Sequence, residues 1–277
     1  MELKCGHRLL DLSRPVVMGI LNVTPDSFSD GGAYPDTAQA AARARQMVEE
    51  GAELIDVGGE STRPGAAAVD SETEISRVVP VIEAIRASCD AVISIDTSKP
   101  EVMQAAAAAG AAFINDVRAL REPGALEVAA SLEIPVCLMH MQGQPRTMQD
   151  APDYDDVVTD VAAFLGERVE SCSRAGIARE RLVVDPGFGF GKTLRHNLLL
   201  LNNLHRLTEF GLPVLVGISR KSMIGAILDR AVDQRLYGSL AAATISLMKG
   251  ASIIRTHDVA PTVDALRVVT ALGAVRK

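Results

Sequence analysis

The chain has 277 residues, with 28 Lys and Arg against 35 Asp and Glu, a net charge of −7 and a hydrophobic fraction of 48%. That length fits one domain of about 250 residues with a filled apolar core. The acidic balance argues against sequence-independent nucleic-acid binding or a basic membrane-surface helix, and no apolar run reaches the ~18 residues of a spanning helix.

In chain order, residues 1–12 turn at Cys5-Gly6 and predict a small hairpin, of a size to plug the bottom of a barrel. The opening residues lack the apolar stretch of a secretion signal. Four scattered cysteines without any CxxC, Cys5, Cys89, Cys137 and Cys172, read as thiols in a reducing compartment, so a cytoplasmic protein is expected. Eight apolar runs come after the hairpin, at 16–22, 54–59, 92–96, 113–117, 135–140, 182–187, 213–219 and 251–258. Between them lie stretches of helical period such as 38–50, 75–87, 157–174, 196–210 and 263–272. Pro80 interrupts the second of these and predicts a kink there or the helix's true beginning. The run Ala105 to Ala109, with Pro100 near its start and Gly110 at its end, reads as a capped surface helix. Strand then helix, eight times over, predicts a single α/β domain across residues 1–277, a (β/α)8 TIM barrel with a short N-terminal hairpin.

Two connections are longer than a barrel needs. Residues 23–35 are rich in turn formers, and residues 58–71 carry little bulk and one arginine, Arg63. Both are expected to fold over the barrel mouth as lids.

Most of the apolar runs end in a polar or ionisable residue, and in a barrel the strand C-termini build the active site. Asn22, Asp56, Asp96, Asn115, His140, Asp185, Lys221, Arg255 and His257 are therefore candidates. Asp96, Asn115 and Asp185 offer acceptors on one side, while Lys221, Arg255 and His257 offer donors and positive charge on the other. In an acidic chain this implies a ligand with a donor-rich heterocycle at one end and an oxyanion at the other. Each has a structural alternative: Asp96 as a helix cap, Asn115 on loop backbone, Asp185 in an Asx turn, Lys221 and Arg255 in solvated ion pairs, His257 as a structural histidine. His140 and Asp56 stand evenly between the two roles. The stretch Gly187-Phe-Gly-Phe-Gly-Lys-Thr193 is not a phosphate loop, because GxxxxGK[ST] ending at Lys192 needs glycine where Pro186 stands. Its glycines are expected to let backbone approach a flat ligand, with Phe190 over one ring face.

Taken in order, Gly19-Ile-Leu-Asn-Val-Thr-Pro-Asp-Ser-Phe-Ser-Asp-Gly-Gly32, Asp56-Val-Gly-Gly-Glu-Ser-Thr-Arg-Pro-Gly65, Ser94-Ile-Asp-Thr97, Ile114-Asn-Asp116, Asp185-Pro-Gly-Phe-Gly-Phe-Gly-Lys192, Ser219-Arg-Lys-Ser222 and Arg255-Thr-His-Asp258 resemble the dihydropteroate synthases of the bacterial, single-function type. The resemblance spans the whole chain. It implies a transferase of folate biosynthesis that condenses 6-hydroxymethyl-7,8-dihydropterin diphosphate with 4-aminobenzoate, by an SN1-like route through a pterin cation. It implies that Asp96, Asn115, Asp185 and Lys221 bond the pterin, that Met139, Phe190 and Gly217 line its slot, and that Arg255 packs on its face. Asn22, His257 and Arg255 would hold the diphosphate, with Asn22 a ligand of Mg2+. Phe28, Thr62, Arg63 and Pro64 would close over the site, and Ser222 would receive the benzoate carboxylate. Sulfonamides as competitors and a homodimer are further implications. A pterin-dependent methyltransferase, a Schiff-base aldolase using Lys221 and a non-catalytic pterin-binding homologue are the alternatives.

Overall fold

In a computed structural model, which describes residues 1–24, 36–61, 69–144 and 146–275, the first residues pair as the predicted antiparallel hairpin, β1 (Glu2–Cys5) and β2 (Arg8–Asp11). The barrel proper follows as β3 (Val16–Asn22), α1 (Thr37–Glu49), β4 (Leu54–Gly58), α2 (Ser71–Ser88), β5 (Val92–Asp96), α3 (Pro100–Ala109), β6 (Phe113–Asp116), α4 (Ala125–Leu132) and β7 (Val136–Met139). It continues through α5 (Val157–Arg174), β8 (Leu182–Asp185), α6 (Leu194–Asn202), α7 (His205–Thr208), β9 (Leu215–Val216), α8 (Ser222–Leu228), α9 (Leu236–Met248), β10 (Ile253–Thr256) and α10 (Val259–Val275). Eight parallel strands run β8-β7-β6-β5-β4-β3-β10-β9. A bridge between Val184 and Val214 closes the ring. Residues 25–35 and 62–68 of the two predicted lids, with the site residues placed on them, Phe28, Thr62, Arg63 and Pro64, lie outside the described residues, while Gly58 ends β4 and Ser71 begins α2.

The two-residue period of a strand sorts this barrel into layers. Val17, Leu21, Ile55, Val57, Ile93, Ile95, Ile114, Val136 and Leu138 face outward and bury against the helices. The alternate set, Val16, Met18, Leu54, Val92, Phe113, Cys137, Val183, Leu215 and Ile253, fills the lower interior, where Leu3, Cys5, Leu10 and Leu12 of the hairpin seal it from below. Two residues further up on the strands other than β3, the same parity changes character. There it carries Asp56, Ser94 or Asp96, Asn115, Met139, Asp185, Gly217 and Arg255. An apolar floor and a polar ceiling are thus written into one alternation.

Three predicted elements take a different form. The run 213–219 contributes only Leu215–Val216 to the sheet, because Pro213 has no N–H for the ladder and the chain beyond Val216 turns, the Lys221 amide closing on Ile218 O at 3.4 Å. The segment 196–210 is two helices, α6 and α7, since Asn203 ends the first by donating its side-chain amide to Leu199 O at 2.9 Å. Pro80 lies inside α2 and does not begin it. The true start is Ser71, capped by Asp70, whose carboxylate accepts from the Thr73 amide at 2.7 Å.

Candidate active site

At the strand C-termini, Asp96, Asn115, Val117, Met139, Asp185, Phe190, Gly217, Lys221 and Arg255 line one pocket. Its frame is an ion network. Arg255 Nε donates to Asp56 Oδ2 at 2.5 Å and its Nη2 to Asp96 Oδ2 at 2.7 Å. Asn115 Nδ2 donates to the same Asp56 oxygen at 2.9 Å, and Ser94 Oγ donates to the other at 2.5 Å. Asp56 is wholly buried with both oxygens engaged, so of its two readings the structure selects the structural one: it anchors Arg255. The separate acceptor and donor sides expected from the sequence are corrected here, because the long Arg255 side chain crosses the mouth and pairs with the acids opposite. Burial works against the Arg255 charge, but Asp56 and Asp96 together more than offset it and keep the guanidinium charged.

Asp96 is the informative member. One oxygen takes Arg255, while Oδ1 is buried without a partner among the described residues. Burial pushes its carboxyl up to about 7, with Arg255 opposing and Asp56 adding to the rise. A buried unpaired acceptor beside a pocket is a place for a ligand donor. Asp185 makes the predicted Asx turn and also lines the pocket. Its Oδ1 accepts the Gly187 amide at 2.7 Å. Burial raises its pKa, with Lys221 pulling the other way. Lys221 Nζ donates to Phe188 O and lies 4.5 Å from the Phe190 ring centroid. Burial brings its ammonium down to about 8 against the pull of Asp185.

The remaining candidates sit around this pocket. Strands β10 and β3 adjoin in parallel register, which brings the Asn22 end and the His257 end to one sector of the mouth. Asn22 Oδ1 and Asp96 both approach Gly58, whose β position would lie 3.8 Å and 3.7 Å from their nearest oxygens. Ser219 Oγ sits 3.1 Å from His257 Nδ1 and also accepts the His257 amide at 3.2 Å. Ser222 is exposed at the start of α8. His140 belongs elsewhere: its Nδ1 lies 2.9 Å from Lys192 Nζ, and its ring stands edge-on to Phe164. Burial, then the neighbouring Lys192, lower its pKa to about 3.

Lys192 confirms that the glycine-rich stretch is not a phosphate loop. Its buried amine turns inward to Gly187 O and Phe190 O, both at 2.9 Å, and burial lowers its pKa well below the usual lysine range. For Gly187 the expected purpose is corrected. Gly187 has φ +67°, and a β carbon there would lie 1.9 Å from His140 O. It is required by backbone packing between the loops after β7 and β8, not by ligand approach. Gly187→Ala should therefore destabilise the fold by about 2–4 kcal/mol, from backbone displacement and a strained conformation. A urea unfolding curve checks this, and a loss below about 1 kcal/mol would show that the loops yield without cost.

Val117 was not among the expected substrate-binding residues, although the inward parity of β6 marks it. Among the described residues no helix is long and apolar enough to cross a membrane.

Comparison with known proteins places this geometry in context. A model of the family described as pterin binding enzyme matches residues 18–257. The chain is 59% identical over 271 residues to the dihydropteroate synthase of Escherichia coli K12, covering 98% of this chain and 96% of that one. In fold it is similar to a Yersinia pestis dihydropteroate synthase in a sulfonamide drug complex, with TM-score 0.95, 55% identity and coverage of 99% and 100%. It is also similar to a Xanthomonas albilineans dihydropteroate synthase in complex with 7,8-dihydropteroate, with TM-score 0.90, 50% identity and 99% of each chain covered.

Proposed function

The chain belongs to the pterin-binding enzymes and acts as a dihydropteroate synthase, joining 6-hydroxymethyl-7,8-dihydropterin diphosphate to 4-aminobenzoate with release of pyrophosphate, and we propose that the pocket under Arg255 holds the pterin throughout. The observation that carries this reading is the buried Asp96 Oδ1, without a partner among the described residues, at a pocket that Asp96, Asn115, Asp185 and Lys221 line together. The amino-pyrimidinone edge of a pterin presents adjacent N–H donors, which suit Asp185 and Asp96. Asn115 and Lys221 supply donors for its ring acceptors. Met139, Val117 and Phe190 give the ring apolar faces, and Gly217 leaves room for it, since its β position has no neighbour closer than 3.8 Å.

In this reading the C–O bond to diphosphate breaks first. Positive charge then spreads from the exocyclic methylene into the ring, where the Asp96 and Asp185 carboxylates stabilise it in place of water. The arylamine of aminobenzoate is neutral at pH 7, so its attack needs no strong general base, and its proton leaves to solvent. Ser222 receives the benzoate carboxylate, with Phe28, Thr62, Arg63 and Pro64 completing that side and excluding water from the cation. Sulfonamides compete there, as the complex of the Yersinia pestis relative suggests. A Schiff base at Lys221 is the weaker reading, because the relative at 59% identity is a dihydropteroate synthase and joining an arylamine to the pterin methylene needs no imine.

The diphosphate lies toward the shared sector of β3 and β10, held by Asn22, Arg255 and His257. The donor set there suits Mg2+. No group of three or more His, Cys, Asp or Glu among the described residues could cage a metal, whereas Asn22 offers an amide oxygen to an ion that keeps most of its shell as water and phosphate. When bound, Mg2+ neutralises charge building on the departing pyrophosphate. Ser219 holds the His257 ring through Nδ1. His257→Ala should slow pyrophosphate release in the absence of aminobenzoate by about 10- to 100-fold, the scale of one charge-assisted contact, and weaken pyrophosphate binding. The measurement is that release with Mg2+ varied. Unchanged release and Mg2+ dependence with a raised aminobenzoate KM would assign the end of β10 to the other substrate.

A homodimer is part of the same proposal. It is supported by exposed apolar residues on three neighbouring outer helices, Leu198 and Leu199 of α6, Ile227 of α8 and Met248 of α9. A cytoplasmic site of action is supported by four unpaired cysteines, three of them buried.

A further inference from the structure

We propose that Arg220 is a positioning residue for this reaction: its left-handed backbone, secured from outside the barrel by Ser239, Arg235 and Asp258, aims Lys221 into the pocket. Arg220 stands between Ser219, which holds His257, and Lys221, which lines the pocket, while Arg220 itself does not line it. Its φ is +56°, a region that a β carbon disfavours. Such residues persist only where their surroundings over-determine them, and they gather at functional sites.

Here each group of Arg220 is held. Its amide donates to Ser239 Oγ at 2.9 Å, and its carbonyl accepts from Arg235 Nη1 at 3.0 Å. Its guanidinium pairs with both Asp258 oxygens, Nε to Oδ2 at 2.9 Å and Nη2 to Oδ1 at 2.5 Å. The holding groups are themselves committed. Ser239 Oγ donates to Arg235 O at 2.7 Å, so it can only accept from Arg220. Arg235 reaches the turn by crossing α8 at Gly225, where a β carbon would lie 2.4 Å from its guanidinium carbon. Only glycine leaves that path open. Asp258 follows His257 directly, so the Arg220 pair also ties the loop after β9 to the loop after β10. Rotating the Arg220 backbone back to negative φ would swing Lys221 away from Phe188 O and the Phe190 ring.

The inference rests on the reading of Lys221 as a substrate-facing group, and the experiment separates the two. Steady-state kinetics, the alkaline limb of kcat/KM and Tm are measured for Arg220→Ala, Arg220→Gly, Ser239→Ala and Lys221→Met. Arg220→Ala should lower kcat/KM for the pterin substrate on the order of 30-fold, the scale of a displaced site group. The charged groups facing Lys221, namely Asp185, Asp96 and Arg255, are unchanged in that variant. Its alkaline limb should nonetheless move up from about 8 toward the ordinary lysine value as the amine meets water. Arg220→Gly, which takes positive φ without strain, should stay within about fivefold of the parent. Ser239→Ala, a small buried change that leaves the fold standing, should lower kcat/KM about fivefold with the same upward shift of the limb.

A purely structural role would lower Tm and leave the limb where it was. If Arg220→Ala and Ser239→Ala keep the limb and stay within about twofold while Lys221→Met loses activity, Arg220 does not position Lys221. Equal impairment of Arg220→Ala and Arg220→Gly would likewise overturn the role given to the backbone. Full activity in Lys221→Met would remove Lys221 from the site, and this inference with it.

Discussion

Arg255→Met should cost about 3–5 kcal/mol of stability and abolish pterin binding, the largest single effect expected in this chain. Among the described residues Arg255 is the one cation bonded to both Asp56 and Asp96, and Asp56 is fully buried. Methionine replaces the volume but leaves two carboxylates without their counter-charge. The pH dependence distinguishes this from a packing defect. Burial already holds Asp96 at about 7, far above its usual range, and loss of Arg255 raises it further. A carboxyl whose folded pKa exceeds its unfolded value binds more protons when folded, so the stability of the variant rises as pH falls through that window toward 4. Urea unfolding at pH 7.5 and pH 5 checks this. A deficit equal at both values would mean that lost packing, not stranded charge, is responsible.

Asp185→Asn should leave the fold within about 1 kcal/mol of the parent yet weaken pterin binding by about 2–3 kcal/mol, on the order of 30- to 150-fold. The substitution keeps an oxygen for the Gly187 amide. It also removes a charge whose pKa burial has raised, so stability has little to lose. What it destroys is the second acceptor, since the new amide group would point N–H against ring N–H. Lys221 loses its attractive neighbour at the same time, which pushes its ammonium further below about 8. The alkaline limb therefore moves down, opposite to the shift expected for Arg220→Ala. Calorimetric titration with a pterin analogue decides the matter, and unchanged affinity would remove Asp185 from the pterin edge.

Much of this site was legible because a barrel strand converts position into direction. Asp96, Asn115, Asp185 and Arg255 each stand two residues above an inward apolar neighbour, Ser94 apart, and each reaches the pocket. Asp56 follows the same rule, yet it is spent on holding Arg255, and nothing in its local sequence separates it from Asp96. The difference is whether a partner 199 positions away reaches one carboxylate oxygen or leaves another bare. His140 shows the converse. It ends a strand like the others, but Lys192 and Phe164 close around it.

Local chemistry in the sequence determined the order of strands and helices, the cap at Gly110, the sealing hairpin and the ring of polar strand ends, because each follows from a period of two or 3.6 residues or from a single turn residue. Only the tertiary structure decided which of those polar ends face a ligand and which hold one another. It also decided that Gly187 serves packing, that β9 shortens to Leu215–Val216, and that Arg220 is held left-handed by Ser239, Arg235 and Asp258. The physical reason is common to all of them. Periodicity sets the direction of a side chain along its own element, whereas a hydrogen bond between residues distant in sequence depends on the closing of the whole ring.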